Sequence, residues 1–276
     1  QGAQGAQAAA LQALLAPLMN QAFGNQASPT LRSLLAGKPS TVVQLGTSVF
    51  EAGTKMAESR KAALVVEDGN LVGIFGFKDM MTRVVAKELP MDDTEISAVM
   101  TPNPESVSPD MTILEALQTM HDNKFLTLPV CEENGTVVGL VNVMDVIYGC
   151  GGVEGWRSIF STSLDLDDLS ETASHASGRS NAVEDFTSGP SKSSAKAVEL
   201  NKTVMNIRPK KPQISSVDES ILAVTKKLAI NRSDSAILVD SNGQLTGIIT
   251  DTDITRRVVS KGLDTTKTCI LSLIHI

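Results

Sequence analysis

Three stretches of the chain repeat one pattern of apolar and polar positions. Each opens with a short β-prone segment, then an amphipathic helix, a hairpin and a second apolar helix. The first helix carries apolar residues at i, i+3, i+4 and i+7. These are Val49, Ala52, Gly53 and Met56 in the first copy, and Ile113, Ala116, Leu117 and Met120 in the second. The third copy keeps Ile221, Val224 and Leu228, with Thr225 interrupting the stripe. Such spacing puts one face of a helix on a core. Ser48…Glu51 and Thr112…Glu115 have capping-box spacing, while Ser220 keeps the cap and Ala223 lacks the partner.

The hairpins repeat more clearly. Ala63–Val66 and Leu71–Phe75 flank Asp68-Gly69; Leu128–Val130 and Val137–Val141 flank Asn134-Gly135; Ala236–Val239 and Leu245–Ile249 flank Asn242-Gly243. Asp-Gly and Asn-Gly between β-branched runs predict tight turns at positive φ. Each second strand runs on to an aspartate, Asp79, Asp145 or Asp253, and then to an apolar helix such as Met80–Val85 or Ile254–Val259. The fold class expected is α/β (α+β), built from β-α-β-β-α repeats. So small a unit hardly buries its own apolar face, so the repeats are expected to pair.

Asp79 and Asp145 lie 66 residues apart and Asp145 and Asp253 lie 108 apart, so 42 extra residues precede the third repeat. The expected divisions are a tail at 1–29, repeats at 38–95, 96–150 and 203–268, and a linker at 161–196. Gln, Ala and Gly make up 18 of residues 1–29, and 161–196 holds 13 Ser or Thr with an acidic cluster. Both are expected to be disordered. Repeats one and two form one tandem unit in this reading. Arg257–Leu263 echoes Arg83–Leu89, so repeat three is expected to need a fourth partner, cut off here. The chain opens on Gln1, so its true start is expected to be missing. Residues 271–276 resemble a translated sequencing-library end and are set apart as an artefact, the alternative being an ordinary apolar strand.

A length of 276 residues suggests roughly two domains at about 150 residues each. The net charge of −7 and 3% aromatic content oppose nucleic-acid binding, which needs a basic face and stacking rings. No run approaches the ~18 apolar residues of a membrane span, and a cytoplasmic protein is expected. Three scattered cysteines without C-x-x-C spacing, and three histidines, support neither a disulfide framework nor a metal centre.

The candidate chemistry lies where each hairpin ends, in the pattern Gly, apolar, apolar, X, X, X, Asp. It reads Gly73–Asp79, Gly139–Asp145 and Gly247–Asp253. An aspartate there can accept hydrogen bonds from a ribose diol, and a hydroxyl three residues earlier suits a phosphate. Arg83 and Arg257 follow four residues after their aspartates. The same residues also read as helix caps with i, i+4 ion pairs. Lys78 and His121 read as a surface residue and a helix-end residue, and Trp156 as a packing anchor. No nucleophile–base pair or Gly-rich phosphate loop is present, so the chain reads as non-enzymatic.

Val99-Met-Thr-Pro102, Leu128-Pro-Val130, the hairpins and the closing aspartates together resemble cystathionine-β-synthase (CBS) motifs, which pair into Bateman modules. The resemblance covers roughly 38–150 and 203–268. Met120–Leu126 before Leu128-Pro129 looks most like multi-CBS proteins of fungi, plants and algae, some of which add a Phox/Bem-type C-terminal domain. The resemblance implies a regulatory, energy-sensing binder of adenine nucleotide. It implies no obligatory cofactor, with AMP, ADP, ATP or S-adenosylmethionine as ligand, and Mg2+ as a companion of the nucleotide. In the family, the hydroxyl of G-h-h-[ST]-x-x-D meets phosphate or ribose and the aspartate meets ribose. Repeat three alone keeps both, as Thr250 and Asp253; Ile214, Ala236, Ile237 and Arg257 join them. Repeat two has Asn142 with Asp145, and repeat one has Gly76 with Asp79. The implied partners are the nucleotide, a second copy or an intramolecular disc, and an unidentified protein. The alternatives are a ligand-free scaffold, or the regulatory part of a larger enzyme or transporter.

Overall fold

The computed structural model describes residues 29–149 and 211–274. The predicted tail up to residue 28, the linker and Trp156 lie outside them. Helix α1 (Leu31–Leu35) precedes repeat one. Repeat one comprises β1 (Val42–Gln44), α2 (Val49–Ser59), β2 (Ala63–Glu67), β3 (Asn70–Phe75) and a helical stretch α3. The stretch α3 opens at Phe77–Asp79, widens to a π turn at Met80–Val84 and closes as 3₁₀ at Val85–Lys87. Strand β4 (Thr101–Pro102) follows. Repeat two comprises α4 (Ile113–Asn123), β5 (Thr127–Cys131), β6 (Val137–Asn142) and α5 (Val143–Gly149). Repeat three comprises β7 (Gln213–Ser216), α6 (Ile221–Asn231), β8 (Ser235–Val239), β9 (Leu245–Thr250) and α7. The last starts at Asp251–Asp253, with a π turn at Ile254–Val258 and a 3₁₀ turn at Val259–Lys261. The α/β expectation holds in this order of elements.

In repeats one and three the first strand runs parallel to the second, which pairs antiparallel with the third. In repeat two the first strand shrinks to a single parallel bridge, Val107 to Val130. The first hairpin has the predicted turn, with Asp68 and Gly69 both at positive φ. The other two differ. Gly135 N–H donates to Glu132 O and Gly243 N–H to Asp240 O, so each loop is a turn closed by one left-handed glycine. An Asx contact supports each: Thr136 N–H donates to Asn134 Oδ1, and Asn242 N–H to Asp240 Oδ1. The helices predicted at Met80–Val85 and Ile254–Val259 are also not plain α-helices. Their i→i+5 turns bury Met80, Met81 and Val84 in one repeat, and Ile254, Thr255 and Val258 in the other.

The caps sort as the spacing predicts in two of three cases. Thr112 and Glu115 form a reciprocal box, and Ser220 accepts from Ala223 N–H without a return bond. Ser48 accepts from Glu51 N–H, but the Glu51 carboxylate turns instead to Lys55 at 2.8 Å.

The repeats pack through two kinds of contact. Repeats one and two meet at their hairpins, where Leu71 N–H donates to Gly135 O at 3.4 Å and Asn70 bridges Thr136. Repeats one and three share the larger core. Val49, Met56, Met80 and Val84 are buried in one cluster with Ile221, Val224, Leu228, Ile254 and Val259. At its centre is Gly53, where a Cβ would come within 3.0 Å of Val259 Cγ1 and 2.8 Å of Met80 Cε. Helix α2 thus lies on α7, and α6 lies on α3. The sequence held no signal for this partnership, because each helix shows only that it has an apolar face.

Each repeat also receives one extra helical turn. Ile96–Ala98 packs on repeat one, with Ile96 N–H donating to Thr47 O. Leu271–Ile274 does the same for repeat three, where Ile270 N–H donates to Glu219 O and Leu273 is buried. Of the run set apart as an artefact, Leu271–Ile274 thus forms a helical turn, not a strand. Repeat two takes its turn from α1, with Leu31 and Leu35 in its core and Leu31 N–H bonded to Met111 O. Arg32 locks that turn by fork contacts to Asp110 at 2.9 Å and Glu132 at 2.7 Å.

Candidate functional site

The three signature aspartates occupy equivalent places, and the structure shows what each oxygen does. In repeat three, Thr250 N–H and Oγ1–H both donate to Asp253 Oδ2, at 3.1 and 2.8 Å. Asp253 N–H returns a bond to Thr250 Oγ1 at 3.2 Å. Arg257 Nε stands 3.3 Å from the other oxygen, and its Nη1 donates to Leu273 O at 2.6 Å. In repeat one, Gly76 N–H donates to Asp79 Oδ2 at 2.9 Å and Arg83 Nε lies 3.3 Å from Oδ1. Arg83 Nη1 donates to Val99 O and Met100 O. In repeat two, Asn142 N–H donates to Asp145 Oδ2 at 3.1 Å, and Asp145 N–H to Asn142 Oδ1 at 2.8 Å. Gly149 stands where repeats one and three have arginine, and Lys38 approaches Asp145 from outside the repeat at 3.7 Å.

Each aspartate is thus a helix cap, and each arginine ties the cap to the extra turn. Burial pushes the Asp79 carboxyl above its usual range, against the Gly76 N–H and the charges of Arg83 and Lys78. The signature glycine has a packing role as well. Met100 lies over Gly73, while Leu35 and Ser40 lie 2.9 Å from where a Cβ on Gly139 would stand. The glycine admits the incoming turn against the strand.

The structure places the residues assigned to repeat three in neighbouring positions with different surroundings. Asp253 and Arg257 line a cavity of ≈ 190 Å³ with Ile248, Ile249, Ile270 and Leu273. Thr250 is tied into the cap. Ala236 is 1% exposed, inside the core shared with repeat one. Ile214 and Ile237 are register partners on the sheet, and Ile237 pairs in turn with Ile248, which lines that cavity. Ile214 is 54% exposed, alongside Ile248 at 61%.

A second cleft, of ≈ 310 Å³, lies between repeats one and two. It brings Gly76 and Asn142, the hydroxyl positions of the two signatures, to one space. Arg60, Lys61 and Lys78 line it with Phe77, Leu126 and Leu140, and Asp251 reaches it from repeat three. Asp79 and Asp145 stand behind it, in their caps. Lys78, read as a surface residue, also pairs with Asp234 of repeat three at 2.6 Å. Sequence reasoning missed Arg60 and Lys61. The available signal was the end of each first helix, where Arg60, Lys124 and Arg232 all take the left-handed conformation. A non-glycine residue there costs roughly 1 kcal/mol, and the same basic type recurs in all three repeats. His121 lies at a helix end, contacts Asp122 at 3.1 Å, and lines a separate apolar cavity with Met120, Phe125 and Leu126.

Among the described residues, no group of His, Cys, Asp and Glu could hold a metal ion, and no helix is long and apolar enough to cross a membrane.

Comparison with known proteins agrees with this architecture. CBSCBSPB5 of Arabidopsis thaliana, a CBS domain-containing protein, is 32% identical over 240 residues, covering 85% of this chain and 42% of its own length. The meiotically up-regulated gene 70 protein of Schizosaccharomyces pombe is 26% identical over 284 residues, covering 90% of this chain and 38% of its own. The chain thus spans about two fifths of the length of these curated relatives. Protein MJ1225 of Methanocaldococcus jannaschii, described as a candidate archaeal homologue of g-AMPK, superposes with a TM-score of 0.56 at 16% identity. That match covers 89% of this chain and 81% of that one, and it speaks for the fold. A family model of the CBS domain matches residues 32–86, 96–150 and 209–260, more than half of the sequence. With three such repeats in register, the chain belongs to the CBS domain family.

Proposed function

We propose that this chain is a non-catalytic regulatory module that binds an adenine nucleotide in the cleft between repeats one and two. One observation carries the reading: two signature positions, Gly76 and Asn142, converge on a space rimmed by Arg60, Lys61 and Lys78. Basic side chains suit phosphate, and the apolar wall of Phe77, Leu126 and Leu140 suits a base. The Asn142 side chain stands where the family's hydroxyl would meet phosphate or ribose. Binding there touches all three repeats, since Asp251 also lines the cleft, so a ligand acts by favouring one arrangement of the repeats over another.

The test is a thermal-shift titration of the full chain with AMP, ADP and ATP, with and without Mg2+. A ligand held a hundredfold above its Kd adds about 2.7 kcal/mol to stability. At roughly 2–4 °C per kcal/mol for a protein of this size, the expected rise is about 5–10 °C. Lys61→Ala abolishes most of it. A flat response to every nucleotide at millimolar concentration refutes the reading.

The closed caps favour a second reading, a scaffold that needs no ligand. Ile214, Leu245 and Ile248 stand 54%, 72% and 61% exposed on the sheet of repeat three, whereas Leu140 in the register place of Ile248 is 3% exposed. An apolar patch of that kind serves a protein partner, and a pull-down unaffected by nucleotide is the result this reading expects.

A further inference from the structure

The rim of the cleft between repeats one and two is basic, but repeat three places two carboxylates beside it. Asp251 lines the cleft, and Asp234 holds Lys78 at 2.6 Å. The two acids are close enough to influence each other. Burial pushes the Asp251 carboxyl up, the charge of Asp234 pushes it the same way, and Lys78 opposes both. Lys78 is therefore committed to Asp234 of another repeat before any ligand arrives, and Asp251 stands beside that pair, its N–H donating to Asp234 O at 3.0 Å. Among the described residues, Arg60 and Lys61 have no carboxylate partner; Lys61 Nζ donates only to Pro39 O, at 3.3 Å.

Resting on the nucleotide reading above, we infer that Asp234 and Asp251 limit how many phosphate charges the cleft accepts, selecting a nucleoside monophosphate over a di- or triphosphate. Two uncommitted cations match the roughly −1.5 to −2 charge of one terminal phosphate group. Each further phosphate adds negative charge that must lie against Asp251 or take Lys78 from Asp234. Like charges on the rim of the cleft repel, most strongly at the part-buried Asp251, so the acids act as the repulsive element of a specificity site.

The test is isothermal titration of the full chain with AMP, ADP and ATP in magnesium-free buffer, for the native sequence, Asp251→Asn and Asp234→Asn. Asparagine keeps an acceptor for Thr252 N–H, which bonds Asp251 Oδ1 at 2.6 Å. The Asp234 side chain is 58% exposed, so its variant folds without it. The native chain is expected to prefer AMP over ATP by about tenfold, and each variant to narrow that ratio by about threefold or more, mostly by gaining ATP affinity. An AMP-to-ATP ratio that neither variant changes overturns the inference and leaves the nucleotide reading standing. No binding of any nucleotide by the native chain overturns both.

Discussion

Gly53 tests most sharply whether repeats one and three share a core. It lies on the buried face of α2, where a Cβ would stand 2.8 Å from Met80 Cε, 3.0 Å from Val259 Cγ1 and 4.0 Å from Thr255 Cγ2. Met80 can swing its terminal methyl aside, but Val259 is β-branched, stiff and 0% exposed. Gly53→Leu inserts four carbons at this crossing. Overpacking of this kind costs about 1–3 kcal/mol per well-packed site, and more when the neighbour cannot yield. Leaving glycine inside a helix returns up to about 1 kcal/mol. The net expectation is a loss of about 2 kcal/mol, a fall in Tm of roughly 4–8 °C. Repeat two carries Leu117 at the same register place, where it is only partly buried. Val259→Ala should rescue part of the loss, with a coupling of about 1 kcal/mol in a double-mutant cycle from urea denaturation. If Gly53→Leu leaves the midpoint unchanged, or if the two substitutions are simply additive, α2 and α7 are not in contact and the shared core is wrong.

Arg60→Gly separates binding from stability. The left-handed end of α2 relaxes, so stability should hold or rise by up to about 1 kcal/mol, while AMP affinity measured by calorimetry falls several-fold. The clip on α1 depends on pH. Arg32 holds the Asp110 and Glu132 carboxyls below their usual range. Their contribution is therefore present above the ordinary carboxylate range, about pH 4, and is lost as pH falls through the lowered values. Limited proteolysis should release the 29–36 segment at low pH or high salt before the repeats open, and Arg32→Ala should do so at pH 7. Asp79 has the opposite sign. Its raised carboxyl makes the folded state hold the proton more tightly, so its contribution weakens as pH rises past the usual range. Asp79→Asn should remove that slope from a urea titration series; an unaltered slope would show that the burial of Asp79 does not matter.

Much of the repeat was legible in the sequence, because its signals are local. Helix stripes at 49–56 and 113–120, the Asp68-Gly69 turn, the places of the other two hairpin loops, and Ser or Thr caps each arise within about eight residues. The partners of the repeats were not legible. The stripe through Gly53 and Met56 shows a buried face without showing that α7 covers it. The role of α1 was hidden for the same reason, since Leu31 and Leu35 look like any short apolar run until Leu31 N–H meets Met111 O and Arg32 meets Asp110. The signature aspartates are compatible in sequence with both a cap and a ligand contact. The structure shows the cap, with both oxygens engaged in Asp79 and Asp253. The cations of the cleft were missed because Arg60 and Lys61 precede the strand, outside the hairpin signature. Asp251 and Asp234 reach the same region only through the packing of repeat three on repeat one.

Photo-crosslinking with an azido-adenine nucleotide, followed by mass spectrometry of the labelled peptides, locates the nucleotide on the chain. Label is expected on the peptides that carry Arg60–Ala62, Phe77 or Leu126–Thr127, competed away by unlabelled AMP. Label confined to repeat three around Asp253 and Arg257, or label that unlabelled nucleotide does not displace, would contradict binding in the cleft between repeats one and two.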